Sequence, residues 1–141
     1  MRAMELEKPE WILLAKFANQ DGVLNVCELP FEVTRTYYIQ EVPYSSQRGF
    51  HAHRSLRQIF FAPKGNFELE LSTPFTKDIY LISSIVERAL IVPPGYWRVL
   101  SRFSEEAICM VLASDFFDPK DYIRNFSEYT EWFRENIKNE S

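Results

Sequence analysis

The chain has two histidines, His51 and His53, two residues apart. They lie in Arg48-Gly49-Phe50-His51-Ala52-His53-Arg54-Ser55-Leu56-Arg57-Gln58, a stretch that also holds three arginines. In an extended chain side chains repeat every two residues, so both imidazoles look into one space. An imidazole titrates near neutral pH and can accept or donate a proton. Guanidinium groups add fixed positive charge and paired donors for a phosphate or a developing oxyanion. Together they suit proton transfer beside a carbonyl on an anionic compound.

The His-x-His spacing also resembles a metal site of the double-stranded β-helix superfamily. There a Glu follows the pair and a later strand adds a third His. Here Gln58 stands at the Glu position, and Arg98, shortly after Pro94-Gly95, at the late His. An amide is a weak ligand and a guanidinium repels a cation, so no metal is expected.

The elements that must position these groups read as strands. Trp11–Phe17 is a first strand, Asn19-Gln20-Asp21-Gly22 a turn, and Val23–Glu28 a second strand. Phe31–Ile39 alternates, with Phe31, Val33, Arg35, Tyr37 and Ile39 on one face. Runs at 58–62, 67–71, 79–82, 89–92, 97–103 and 107–114 follow, separated by turn signals. Many short strands at regular spacing predict an antiparallel sandwich or barrel. Asp118-Pro119 reads as a helix start, and apolar residues from Ile123 to Ile137 keep helical spacing. The expectation is an all-β core over about 10–115 and a C-terminal helix over about 119–138, in one domain spanning 1–141. Residues 1–9 are polar and expected to be frayed.

With 46% hydrophobic and 26% charged residues in 141, the chain is long and apolar enough for a core. Aromatics reach 16%, which favours strands. A net charge of −4 gives no general attraction to nucleic acid, so an anionic ligand needs a local arginine cluster. No apolar run is long enough to span a membrane, and the N-terminus lacks the pattern of a signal peptide. A cytoplasmic protein is expected. Cys27 and Cys109 are then buried free thiols.

Several separated motifs, in order, resemble the sugar-nucleotide 3,4-ketoisomerases of the cupin superfamily. They are Pro30-Phe31 with Arg35-Thr36-Tyr37-Tyr38-Ile39, then Arg48-Gly49-Phe50-His51-Ala52-His53 with Gln58. Val111–Asp118 and Asp121-Tyr122-Ile123-Arg124 complete the set. The resemblance implies a cupin jelly roll, a homodimer that shares strands, and no cofactor. It implies a dTDP-linked 4-keto-6-deoxy-glucose as ligand, isomerised through an enediol on the way to a deoxyamino sugar. His51 matches the family's base and His53 its second imidazole. Tyr37 is a candidate donor to the sugar oxygens, and Arg35, Arg48 and Arg54 are candidates for the pyrophosphate. Gln58, Trp97, Arg98 and Asp21 are further candidates in the sugar pocket. Trp97 is either a platform for a ring or a core plug. Arg98 stands where many members have His, which favours the gluco over the galacto product. Asp21 departs from the Tyr or Arg common at that turn. A sugar-nucleotide epimerase of the same fold and a non-catalytic sugar-nucleotide-binding cupin are the alternatives.

Overall fold

The computed structural model describes residues 3–138. Its strands are β1 (Glu10–Leu13), β2 (Ala15–Asn19), β3 (Gly22–Val26), β4 (Arg35–Ile39), β5 (Arg48–His53) and β6 (Gln58–Lys64). Then come β7 (Asn66–Ser72), β8 (Lys77–Ser83), β9 (Arg88–Val92), β10 (Trp97–Ser101), β11 (Ile108–Ala113) and β12 (Tyr122–Ile123). One helix, α1 (Phe126–Asn136), follows. Two five-stranded antiparallel sheets form, in the orders β1-β9-β6-β11-β4 and β12-β5-β10-β7-β8, with β2-β3 as a separate hairpin. This is a jelly roll with a C-terminal helix, the fold that the resemblance implies and one form of the antiparallel sandwich that the spacing of strands and turns predicts.

Alternation divides each strand between two environments. Phe60, Leu69, Leu90, Leu100 and Val111 fill the space between the sheets. On the outer face of β5 and β10, Ala52, Trp97 and Val99 meet Tyr129 and Phe133 of α1. Tyr129 is fully buried, and its hydroxyl donates to the carbonyls of Gly95 at 2.7 Å and Ser72 at 3.0 Å. The helix is thereby tied to the turn before β10.

Five expectations need correction. The strand expected over Trp11–Phe17 is broken at Leu14, because β1 pairs with β9 while β2 leaves to pair with β3. The strand expected over Phe31–Ile39 begins only at Arg35, where pairing with β11 starts. The N-terminal segment is not frayed from residue 4: the Met4 and Ile137 backbones form a bridge, and Leu6 packs on the core. Residues 1, 2 and 139–141 of the expected 1–141 extent lie outside the described residues. The helix start is also later than the Asp-Pro signal. Asp118 caps only one 3-10 turn, Pro119–Asp121, before the chain pairs as β12, and Asn125 caps α1 by accepting from the Glu128 N–H. Pairing with β5 decides this, since Tyr122 faces His53 and Ile123 faces Ala52 across the ladder. Both cysteines are free, but only Cys109 is buried; Cys27 is partly exposed.

A bulge in β5 re-aims the arginine next to the histidines. Arg98 pairs with His51 and Val99 with Gly49, so Phe50 is the extra residue. Gly49 and Phe50 both take positive φ, +101° and +58°. Strict alternation would turn Arg48 away from His51; the inserted residue returns it to the same side. A Cβ on Gly49 would lie 2.8 Å from the Arg98 carbonyl oxygen. Gly49→Ala is expected to cost about 1–3 kcal/mol, measured by urea unfolding, because both the φ and the contact forbid a side chain.

Candidate active site

A pocket of about 330 Å³ opens between the sheets. Arg35 and Tyr37 from β4, Arg48 and His51 from β5, and Arg98 from β10 line it, together with Tyr122 and Arg124. Parity sets this membership. Arg35, Tyr37 and Ile39 are the inward residues of β4, and Arg98 is inward because its neighbours Trp97 and Val99 face α1. The site is rich in guanidinium groups, and none of the residues lining the pocket is acidic.

Arg98 is the most unusual of them, at 1% exposure. Its Nη1 donates to Gln58 Oε1, and its Nη2 to the Tyr96 carbonyl at 3.1 Å. Burial lowers its pKa to about 10, which leaves it a cation at neutral pH. Gln58 in turn donates from Nε2 to the Tyr37 hydroxyl at 2.9 Å. Burial raises the Tyr37 pKa, so the phenol stays protonated.

The two imidazoles are edge to face, with ring centroids 4.9 Å apart. Tyr122 covers both, at 5.0 Å from His51 and 4.4 Å from His53. Arg124 lies over the Tyr122 ring at 4.4 Å. His53 is fully buried behind His51, and its Nδ1 meets Asp121 Oδ2 at 2.9 Å. Asp121 Oδ1 accepts from the Ser55 backbone N–H at 2.7 Å and from its hydroxyl at 2.9 Å. Burial lowers the His51 pKa to about 3, with the charge of Arg98 adding to it. Burial also lowers His53, to about 4, although its hydrogen bond to Asp121 opposes the fall. Burial alone would raise Asp121; hydrogen bonds from His53 and Ser55 outweigh it and hold the carboxyl at about 2. At neutral pH the site therefore holds two neutral imidazoles, one carboxylate behind them and a buried cation beside them.

Such a set can take a proton from carbon and stabilise charge on a carbonyl oxygen. It is poorly suited to a divalent ion. Among the described residues no three His, Cys, Asp or Glu side chains converge, and the positions of a third and fourth ligand are Gln58 and Arg98, which are bonded to each other.

Gln58, expected in the sugar pocket, is buried behind Tyr37 and Arg98 and does not line it. Three further expected site residues lie elsewhere. Trp97 is turned to the outer face and packs on Phe126 and Tyr129, because its neighbour Arg98 takes the inward position. Arg54 is on the outward parity of β5, and its Nη1 donates to the Lys120 carbonyl at 2.7 Å and the Tyr122 carbonyl at 2.9 Å. It clamps β12 rather than lining the pocket. Asp21 sits at the tip of the exposed β2–β3 hairpin, and its backbone N–H is held by Asn19 Oδ1. Asp121, Tyr122 and Arg124 were not anticipated as site residues. The alternating Tyr-Ile-Arg was the available signal, but the helix-start pattern around Asp118 absorbed it.

The pKa values fix a direction for acid stability. An unfolded histidine binds a proton below about pH 6.5. His51 and His53 in the fold do not bind one until about pH 3 and 4. The unfolded state therefore takes up more protons as pH falls, and stability drops from about pH 6.5 downward. Asp121, held at about 2 against an ordinary 3.8, adds stability above that ordinary value and loses it as pH falls toward 2. Urea midpoints are expected to fall steadily from pH 7 to pH 4, and His53→Gln should flatten that slope.

Comparisons with known proteins agree with this architecture. Residues 7–134 match the family model FdtA: WxcM-like, C-terminal. The chain is 35% identical over 105 residues to the TDP-4-oxo-6-deoxy-alpha-D-glucose-3,4-oxoisomerase of Aneurinibacillus thermoaerophilus, covering 74% of each. It superposes on the 3,4-ketoisomerase QdtA of Thermoanaerobacterium thermosaccharolyticum, a mutant in complex with TDP-4-keto-6-deoxyglucose. That match has a TM-score of 0.87 and 29% identity, and covers 92% of this chain and 96% of the other. The WlaRB TDP-quinovose 3,4-ketoisomerase of Campylobacter jejuni matches at a TM-score of 0.82 and 29% identity, covering 89% and 99%. The 3'-monoepimerase ChmJ of Streptomyces bikiniensis shares the fold alone, at 12% identity.

Proposed function

We propose a reaction for this pocket from an established premise: the chain belongs to the WxcM-like FdtA family. It is an isomerase, a TDP-sugar 3,4-ketoisomerase of deoxysugar biosynthesis. The observation that carries the reading is a neutral, buried His51 that shares one pocket with Tyr37 and the Arg98 guanidinium.

The substrate is a TDP-linked 4-keto-6-deoxy-glucose. His51 takes the proton from C3. The C3–H pair becomes the C3–C4 double bond, and the carbonyl π pair moves to O4, where Tyr37 and Arg98 meet the developing charge. O4 takes up a proton to complete the enediol, which then closes the other way: O3 gives up its proton as C4 receives one, so two protons leave, two return, and the ketone stands at C3. One carbon is oxidised as its neighbour is reduced, so the step balances without an external oxidant. Burial of His51 keeps it in the basic form that this step needs. Arg35, Arg48 and Arg124 are the cations available to the pyrophosphate at the pocket mouth. With Arg98 beside the reacting carbons, the gluco product is expected.

The test is direct. TDP-4-keto-6-deoxyglucose is incubated with the protein in D2O and followed by NMR. The keto group should move from C4 to C3, and His51→Asn should lower kcat by about 10²–10⁴-fold while TDP affinity is kept. A sugar whose keto group stays at C4 would remove the reading.

The second part of the proposal is the assembly. Leu13, at 85% exposure, together with Phe17, Val23 and Leu24, makes the β2–β3 region apolar and uncovered. An apolar surface of this kind is normally covered by a partner, and a second copy that exchanges this hairpin would cover it. Sedimentation is expected to give a dimer, and Phe17→Ser with Leu24→Ser a monomer. A wild-type monomer at micromolar concentration rules the dimer out.

A further inference from the structure

The hydrogen bonds that join Arg98, Gln58 and Tyr37 have only one possible direction. A guanidinium carries donors and no acceptor. The Gln58 atom that faces Arg98 Nη1 must therefore be the amide oxygen. The other end of that amide is then the NH2 group, and it faces the Tyr37 oxygen at 2.9 Å. Tyr37 must accept there, so its own hydrogen points elsewhere. Burial keeps the phenol protonated, so the hydrogen is present to be used.

Gln58 itself is 1% exposed and does not line the pocket, whereas Tyr37 and Arg98 do. It touches neither solvent nor the space a substrate would fill. A buried amide of this kind needs a reason beyond packing, since an apolar side chain would fill the same volume without polar atoms to satisfy. The identity of the amide matters in a further way. A carboxylate at this position would accept from both neighbours. It would hold Arg98 as well or better, but it would also capture the Tyr37 hydrogen and turn it away from the pocket.

We infer that Gln58 is a positioning residue that makes Tyr37 a hydrogen-bond donor into the pocket, with Arg98 setting the direction. This rests on the ketoisomerase reading for its consequence: the ketone oxygen meets an O–H and not a lone pair. The amide passes the orientation of a fixed cation on to a neutral hydroxyl. The position that would hold a metal-ligating Glu in a metal site instead requires both an acceptor and a donor, which Gln supplies and Glu does not.

Gln58→Glu isolates this role, because it keeps size and keeps the bond to Arg98 while reversing the link to Tyr37. It should lower kcat about 10²-fold, with KM for TDP-4-keto-6-deoxyglucose within about 3-fold of wild type. Tyr37→Phe should give a similar loss, and the double variant no more than either alone. A kcat for Gln58→Glu within about 3-fold of wild type overturns the inference, as does an undiminished Gln58→Glu effect in the Tyr37→Phe background. A measurement on the ligand-free wild-type protein stands apart from these variants and from their folding. Neutron diffraction should place a deuterium on Gln58 Nε2 aimed at Tyr37, and the Tyr37 deuterium on the pocket side. A Tyr37 deuterium aimed at Gln58 overturns the inference. If the wild-type protein leaves the sugar unchanged, the functional reading falls, while the neutron result still decides the direction of the chain.

Discussion

A guanidinium at 1% exposure is the constraint around which the site is arranged. Taking that charge out of water costs several kcal/mol unless its donors are satisfied. Arg98 offsets the cost by donating to the Gln58 amide and the Tyr96 carbonyl. The position of β10 then follows, because Tyr96 lies in the turn that α1 grips through Tyr129 and Gly95. The consequences reach the chemistry. The same cation helps to depress both imidazoles, fixes the Gln58 amide and, through it, the Tyr37 hydroxyl. A positive group in the interior thus occupies the electrostatic place that a bound ion holds in a metal site, without needing anionic ligands around it.

The second organising contact is β12, only two residues long. It could not persist alone, and Arg54 holds it by bonding the carbonyls on both sides of Asp121. That clamp delivers Asp121 to His53 and Tyr122 to the faces of both rings. A carboxylate on Nδ1 leaves His53 Nε2 as the buried atom turned to the interior, and it has no partner among the described residues. Arg54 therefore serves the site without entering it, through backbone carbonyls and not through phosphate.

The pocket is cationic although the chain is net acidic at −4. Charge is segregated: Arg35, Arg48, Arg98 and Arg124 converge, while carboxylates such as Glu68 and Glu70 sit on the outer face of β7 with surface cations. An anionic ligand is then drawn to one place by local field and not by overall charge.

The antiparallel strand core, the shared face of Arg35, Tyr37 and Ile39 and the histidine pair were legible before any coordinates, because they depend on period-two alternation and on turn residues, which are local properties. The jelly roll and its cupin context were legible only through the resemblance of several separated motifs. The late start of α1 was not legible. The Asp118-Pro119 signal is a genuine cap, yet the ladder with β5 won over it once Tyr122 and Ile123 could pair with His53 and Ala52. The facing of Trp97 and Arg98 was open for a similar reason. Alternation says that they point opposite ways but not which of them points in.

What the sequence by itself determined is which chemical groups are available and that His51 and His53 share a face. Only the tertiary structure decided which other groups join them. The Gly49–Phe50 bulge brought Arg48 in, parity on β10 put Arg98 in and Trp97 out, and β12 supplied Asp121, Tyr122 and Arg124. The physical reason is that bulges, strand facing and long-range pairing are settled by contacts between segments far apart in the chain. No local pattern encodes them, whereas the two-residue repeat of an extended strand is written into every stretch that adopts it.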